Sequence, residues 1–167
     1  MLRRGFERDA AIESFVFFWS GPFSQWHPSP FVIDSITYNC AEQYMMAEKA
    51  RLFGDTEREA MIMAAADPGD QKRYGRMVEG FDNEVWLPAA KAIVKRASYA
   101  KFEQNADLRV ALFATGKRTL VEASPHDKLW GIGLRESDPR AMHRSRWQGK
   151  NWLGEVLTEV RNEMQPG

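Results

Sequence analysis

The spacing of hydrophobic and polar positions changes along this chain, and the changes mark its elements. Ser14 to Trp19 is a short run of β-branched and aromatic residues, and Phe31 to Tyr38 is another. Gly, Pro and Ser cluster between them. The pattern predicts a small β-hairpin, or two short strands, at the edge of something larger. From Asn39 onward the pattern is mostly helical. A helix over Asn39 to Phe53 has Asn39 as its N-cap and Gly54 as its stop. Asp55 caps a second helix through Ala65. Asp67, with Pro68 at the first helical position, starts a third that ends near Gly80. Asn83 to Gln104 is rich in helix formers, and Pro88 must lie in its first turns or split it. A short helix over Asp107 to Thr115 stops at Gly116, and Thr119 to Glu122 has strand character. Trp152 to Met164 forms the last helix, with Asn151 as its cap and Leu153, Val156, Leu157 and Val160 on one face. The expected fold class is mainly α. It is a single compact helical domain over residues 1–167 with a small N-terminal β element, residues 1–13 forming a partly ordered extension.

Composition narrows the function classes. Lys plus Arg and Asp plus Glu number 23 each, a formal net charge of zero. A protein that coats nucleic acid needs a basic surplus to neutralise phosphates, so that class is disfavoured, while a local basic pocket is not. The one cysteine, Cys40, excludes an intrachain disulfide. The basic start (Arg3, Arg4, Arg8) is interrupted by Asp9 and Glu13, which makes a poor signal peptide. No apolar stretch is long enough to span a bilayer. The expected setting is cytoplasmic, without a membrane partner. Cys40, His27, His126 and His143 lack metal-ligand spacing, so neither a metal nor a cofactor is expected.

The helix after Asn39 carries the first chemical signal. Positions three, four and seven apart share a helix face. Met45, Met46 and Phe53 make such a face apolar, and Glu42 and Lys49 lie within it, roughly 10 Å apart along the axis. Burying an unpaired charge is costly, so two in one apolar stripe suggest a ligand between them. The competing reading is structural. Glu42 has capping-box spacing from Asn39, and Lys49 has a stem long enough to reach solvent. On spacing alone the structural reading is favoured.

Two loops carry the second signal. Phe18, Trp19 and the segment Gly21-Pro22-Phe23-Ser24-Gln25-Trp26 gather large rings around a Gly/Pro turn. They make either a hydrophobic lid or a stacking wall for a flat heterocycle. Ser124 to Gly133 contains Asp127, Trp130, Gly131 and Gly133. Gly131 permits close backbone approach to a ligand, and Asp127 stands beside it as an acceptor or base. The structural alternative is an Asx-turn at Asp127 with Trp130 as a core plug. Arg135, Arg140, Arg144, Arg146 and Lys150 follow, ending at Asn151, where a helix start can receive a phosphate. A solvated basic loop is the commoner explanation of such a run.

In order, these segments resemble the NADAR family, named for a link to NAD and ADP-ribose. The matching pieces are Phe23-Ser24-Gln25-Trp26, Tyr38 to Ala50, Gly75-Arg76, Trp86, Ala100 to Asn105, Leu120-Val121-Glu122, Asp127 with Trp130-Gly131, and Gly149 to Gly154. They run from about Phe17 to Arg161. The first motif departs from the family's usual Phe-Ser-Asn-Phe. The resemblance implies a mainly helical N-glycosidase that acts on phosphoribosylamino-pyrimidine intermediates of riboflavin synthesis, or removes ADP-ribose from guanine. It implies catalytic roles for Glu42, Lys49 and Asp127. The substrate-binding candidates are Trp19, Phe23, Ser24, Arg76, Trp86, Trp130, Gly131 and Asn151. The expected partner is a small phosphorylated, nucleotide-like substrate, or an ADP-ribosylated nucleic acid. A non-catalytic ADP-ribose or NAD reader is the alternative from another class, disfavoured because a binder has no need of Glu42 and Lys49 on an apolar face.

Overall fold

The computed structural model describes residues 13–165; the expected N-terminal extension, Glu13 apart, lies outside them. The strands are β1 (Phe15–Phe18), β2 (Phe31–Ile33), β3 (Ile36–Tyr38) and β4 (Thr119–Glu122). The helices are α1 (Ala41–Leu52), α2 (Thr56–Ala64), α3 (Pro68–Gly75), α4 (Asn83–Gln104), α5 (Ala106–Phe113) and α6 (Trp152–Met164). Two 3₁₀ turns, Pro139–Met142 and Arg144–Arg146, punctuate the loop before α6. The mainly α expectation holds.

The strands pair differently from the expected hairpin. β1 does not meet the Phe31 to Tyr38 segment; it runs parallel to β4, with Phe15 opposite Thr119 and Phe18 opposite Glu122. The Phe31 to Tyr38 run folds back on itself as β2 and β3. Its turn is Asp34-Ser35, both with positive φ (50° and 65°), the twist a two-residue hairpin requires. Asp tolerates that conformation better than most residues, which is why the turn was hidden inside an otherwise strand-like run.

α1 is the central helix. Every residue from Ala41 to Met46 is buried, and α2, α3 and α4 pack around it. Gly75 lets α3 come close: a Cβ there would overlap the Met46 side chain. α3 stops at Gly75 rather than near Gly80, where the chain tightens through the Met77 N–H to Tyr74 carbonyl bond (3.0 Å). Pro88 is accommodated early in an unbroken α4. α6 buries Leu153, Val156, Leu157 and Val160 as the pattern predicts. Each such large side chain contributes roughly 1.5–3 kcal/mol on full burial.

Candidate active site

The start of α1 decides the reading of Glu42. Its N-cap is Cys40, not Asn39, and no side chain caps it directly. Gln43 reaches back instead, its Oε1 accepting from the Asn39 amide at 2.8 Å. Gln43 Nε2 also donates to the carbonyls of Ile62, Met63 and Ala65, which locks this amide into structure. Glu42 therefore has no capping duty, although it is only 7% exposed. Its amide is held by the Gln25 carbonyl at 3.1 Å, so the Phe23-to-Trp26 loop is fastened to the helix at this residue. Burial pushes the Glu42 carboxyl up to about 7; Lys72 opposes that shift and Asp127 reinforces it.

Lys49 lies two turns on, half-buried. Its Nζ is 4.5 Å from the Phe81 ring centroid and 5.8 Å from that of Trp86. Burial lowers its pKa, Glu42 raises it and Arg76 lowers it further. Lys72 on α3 and Arg76 at its C-cap, one turn apart, face the same charges because Gly75 seats α3 against α1. Arg76 itself is exposed.

Asp127 approaches from the other side. Its Oδ1 accepts from the amides of Leu129 (2.9 Å) and Trp130 (2.8 Å), the Asx-turn of the structural alternative. That turn fixes the carboxylate beside Glu42 and Glu122, whose pKa values both register its charge. Turn and site role coexist, because a second oxygen stays uncommitted. The structure thus brings together Glu42, Lys49, Asp127, Arg76 and Trp86.

Other predicted residues fall elsewhere or do other work. Trp86 is only 6% exposed and belongs to the main core as well as standing over Lys49. Trp130 packs edge-on against Trp152 at 5.6 Å. Phe23 packs on Phe18 and Phe102. The Ser24 carbonyl accepts from Lys101 Nζ at 3.0 Å. Gly131 gives close approach, but what it approaches is protein: a Cβ there would lie 2.9 Å from the Glu122 carbonyl oxygen and 3.1 Å from Glu122 Oε2.

Asn151 is not a side-chain cap. It is fully buried, left-handed (φ 55°), and hydrogen-bonded to β4. A short polar side chain tolerates that conformation and extends the ladder of a strand that, among the described residues, has no strand neighbour on this edge. Trp19 is 58% exposed and 6.4 Å from His126. It lines a groove of about 380 Å³ with Phe18, Ala123, Arg135, Glu136 and Ser137. Of the basic run, Arg140 is paired with Asp138 and Arg144 with Glu13. Arg135, Arg146 and Lys150 form no ion pair among the described residues.

Sequence reasoning missed two members of the cluster. Lys72 sits on α3 one turn before Arg76 and facing Glu42. Glu122 ends β4, where burial pushes its carboxyl up to about 7, Asp127 and Glu42 adding to the shift. A lone carboxylate at the last position of a short apolar strand, five residues before Asp127, was the available signal. No group of three or more His, Cys, Asp or Glu side chains among the described residues is arranged to hold a metal. No described helix is long and apolar enough to cross a membrane.

The NADAR domain model matches residues 17–165. N-glycosidase R617 of Acanthamoeba polyphaga mimivirus is 43% identical over 148 residues, covering 86% of this chain and 87% of that protein. Protein irg-1 of Caenorhabditis elegans is 42% identical over 131 residues, 77% of this chain; the match spans 62% of that longer protein. The NMR structure of the E. coli protein YbiA superimposes with a TM-score of 0.75 at 29% identity, over 93% of this chain and 87% of that one.

Proposed function

The chain belongs to the NADAR family, and from that membership we propose that it is an N-glycosidase acting on a phosphorylated ribose linked to a nitrogen of a base. The favoured substrate is a phosphoribosylamino-pyrimidine intermediate of riboflavin synthesis. One observation carries the reading. Glu42 is a buried carboxylate freed from capping by Gln43, and it shares its surroundings with Lys49 and Asp127.

The chemistry follows from those groups. Breaking the C–N bond develops positive charge at the sugar's C1, which a nearby carboxylate stabilises. Glu42 takes that role, and Asp127 orients water. Lys49, its ammonium disfavoured by burial, acts as an amine toward C1 of the ring-opened sugar. Trp86 encloses the ligand above Lys49. Arg76 takes the phosphate, while Arg140 and Arg144 are committed to carboxylates.

A second reading, removal of ADP-ribose from guanine, draws support from Trp19. An exposed indole beside Arg135 offers a further ring and cation, more than ribose 5-phosphate requires. Incubating the purified protein with each substrate and following the sugar product by mass spectrometry separates the two. Ribose 5-phosphate release supports the first reading and ADP-ribose release the second. Release of neither overturns both.

A further inference from the structure

Glu122 is held at both backbone atoms. Its amide donates to Asn151 Oδ1 (3.0 Å) and its carbonyl accepts from the Ile132 amide (2.9 Å). Its carboxyl is then directed into a space kept open by Gly131, where a Cβ would lie 3.1 Å from Oε2. Oε2 is closed off from solvent and has no hydrogen-bond partner among the described residues. An ionised carboxylate with an oxygen that neither water nor a donor reaches is expensive; the same group carrying a proton is not. The charged groups facing it are Asp127 from the loop after β4, Glu42 from α1 and Lys72 from α3. Two of the three are carboxylates, which makes ionisation harder still. Burial and those neighbours hold its pKa at about 7.

We propose that Glu122 is a further catalytic residue, the general acid that protonates the departing nitrogen. The proposal rests on the N-glycosidase reading above. An amine attached to C1 leaves poorly as an anion. As the C1–N bond breaks, its electron pair stays on nitrogen, which takes the proton carried on Glu122 Oε1, the oxygen that is not closed off, and departs as a neutral amine. Water or the Lys49 amine supplies the new bond to C1. The proton lost by that nucleophile returns to Glu122; attack by water leaves the site as it began, and on the Lys49 route a water then cleaves the Lys49–C1 bond to release the sugar and restore the amine. Glu42 and Glu122 then act as a coupled carboxyl pair that shares one proton: in the turnover form Glu122 carries it beside the leaving group and Glu42 is ionised beside C1.

The test uses the phosphoribosylamino-pyrimidine and the ADP-ribosylated guanine as probes, with the full chain. Wild-type turnover should fall on the alkaline side as Glu122 loses its proton. Glu122→Gln should lose roughly 100-fold in kcat with KM little changed, and lose that alkaline limb. Glu122→Asp should keep the limb at a reduced rate, and it decides the matter if the Gln variant fails to fold. Glu122→Gln within threefold of wild type, with its alkaline limb intact, overturns the acid role alone. So does a Glu122→Asp variant that has lost the limb. A wild-type protein inert toward both probes overturns the glycosidase reading and the acid role with it.

Discussion

Asn151 is bonded to β4 on both sides of Val121: its Nδ2 donates to the Leu120 carbonyl at 3.1 Å and its Oδ1 accepts from the Glu122 amide at 3.0 Å. One buried side chain thereby replaces a missing strand neighbour and fixes the position of a site carboxylate. It also fastens the start of α6, since its own amide donates to the Gly131 carbonyl.

Truncating that side chain should therefore cost stability. Asn151→Ala leaves a buried carbonyl and a buried amide unpaired and retains a left-handed backbone that Ala resists. The expected loss is about 2–4 kcal/mol, measured by denaturant unfolding. Asn151→Gly suits the backbone but still lacks the two bonds, so it should recover only part of the loss. A loss below about 0.5 kcal/mol in the Ala variant would mean that β4 does not depend on this clamp.

Glu42 should make the protein less stable as pH rises. Its carboxyl ionises near 4.5 in the unfolded chain and at about 7 in the folded one. The stability it allows is fully present below pH 4.5 and is lost as pH climbs to 7. The change is on the order of 3 kcal/mol for a group titrating alone. Glu42→Gln removes this dependence, and subtracting its curve cancels the titrating groups that Glu42 does not influence, leaving Glu42 with its neighbours Lys49 and Glu122. The difference in melting behaviour between the two proteins should widen in favour of the variant from pH 5 to pH 8. A flat difference would mean that Glu42 is paired or hydrated. Activity should be nearly abolished in the same variant, because the amide lacks the charge that C1 requires.

Lys101 should show the opposite slope. It is 2% exposed, and burial lowers its pKa to about 7, with Cys40 as an opposing influence. A depressed lysine loses stability as pH falls from 10.5 toward 7 and bears the full penalty below. The wild type should gain on Lys101→Met between pH 7 and pH 10, as followed by thermal melting. Lys101 Nζ also holds the Ser24 carbonyl, one residue before the Gln25 carbonyl that anchors Glu42. The Met variant should bind substrate more weakly even where its stability matches. Unchanged KM would separate the loop from the site.

Much of this arrangement was legible in the sequence, and the failures have local causes. Helix existence followed from period and breakers: Asp55, Asp67 and Gly54 act as expected. The pairing of β1 with β4 was not legible, because strands separated by about a hundred residues leave no local mark. The capping of α1 was misassigned by one residue. Asn39 and Glu42 have the right spacing, but so do Cys40 and Gln43, and the amide side chain took the position. Trp86 was read as a ring facing ligand, and its core contacts were hidden because helix α4 buries more than one face. Glu122 was quoted only as part of a motif; its importance depends on Gly131 and Asn151, which meet it only in three dimensions.

Trp86 now carries two expectations. Trp86→Ala should cost about 3–5 kcal/mol of folding stability, as for any large core truncation. Trp86→Phe retains most of the packing, so it isolates the ring over Lys49. That variant should fold near wild type and raise KM severalfold. Wild-type KM in the Phe variant would assign Trp86 to the core alone.

The chemistry of Lys49 gives the sharpest test. Its Nζ lies over the Phe81 and Trp86 rings; burial lowers its pKa, Glu42 opposes that shift and Arg76 adds to it. That lowering favours the neutral amine, and a neutral amine adds to the aldehyde of an opened ribose to form an imine. Lys49→Arg keeps the charge but never deprotonates and cannot form that imine. The variant should be nearly inactive. Borohydride added during wild-type turnover should leave a reduced sugar on Lys49 alone, located by peptide mass spectrometry. Glu42→Gln removes the nearby negative charge, so it should lower the Lys49 pKa further and raise its reactivity toward a simple aldehyde even as hydrolysis stops. If Lys49 instead grips phosphate, the results reverse: the Arg variant stays active and no adduct forms during turnover.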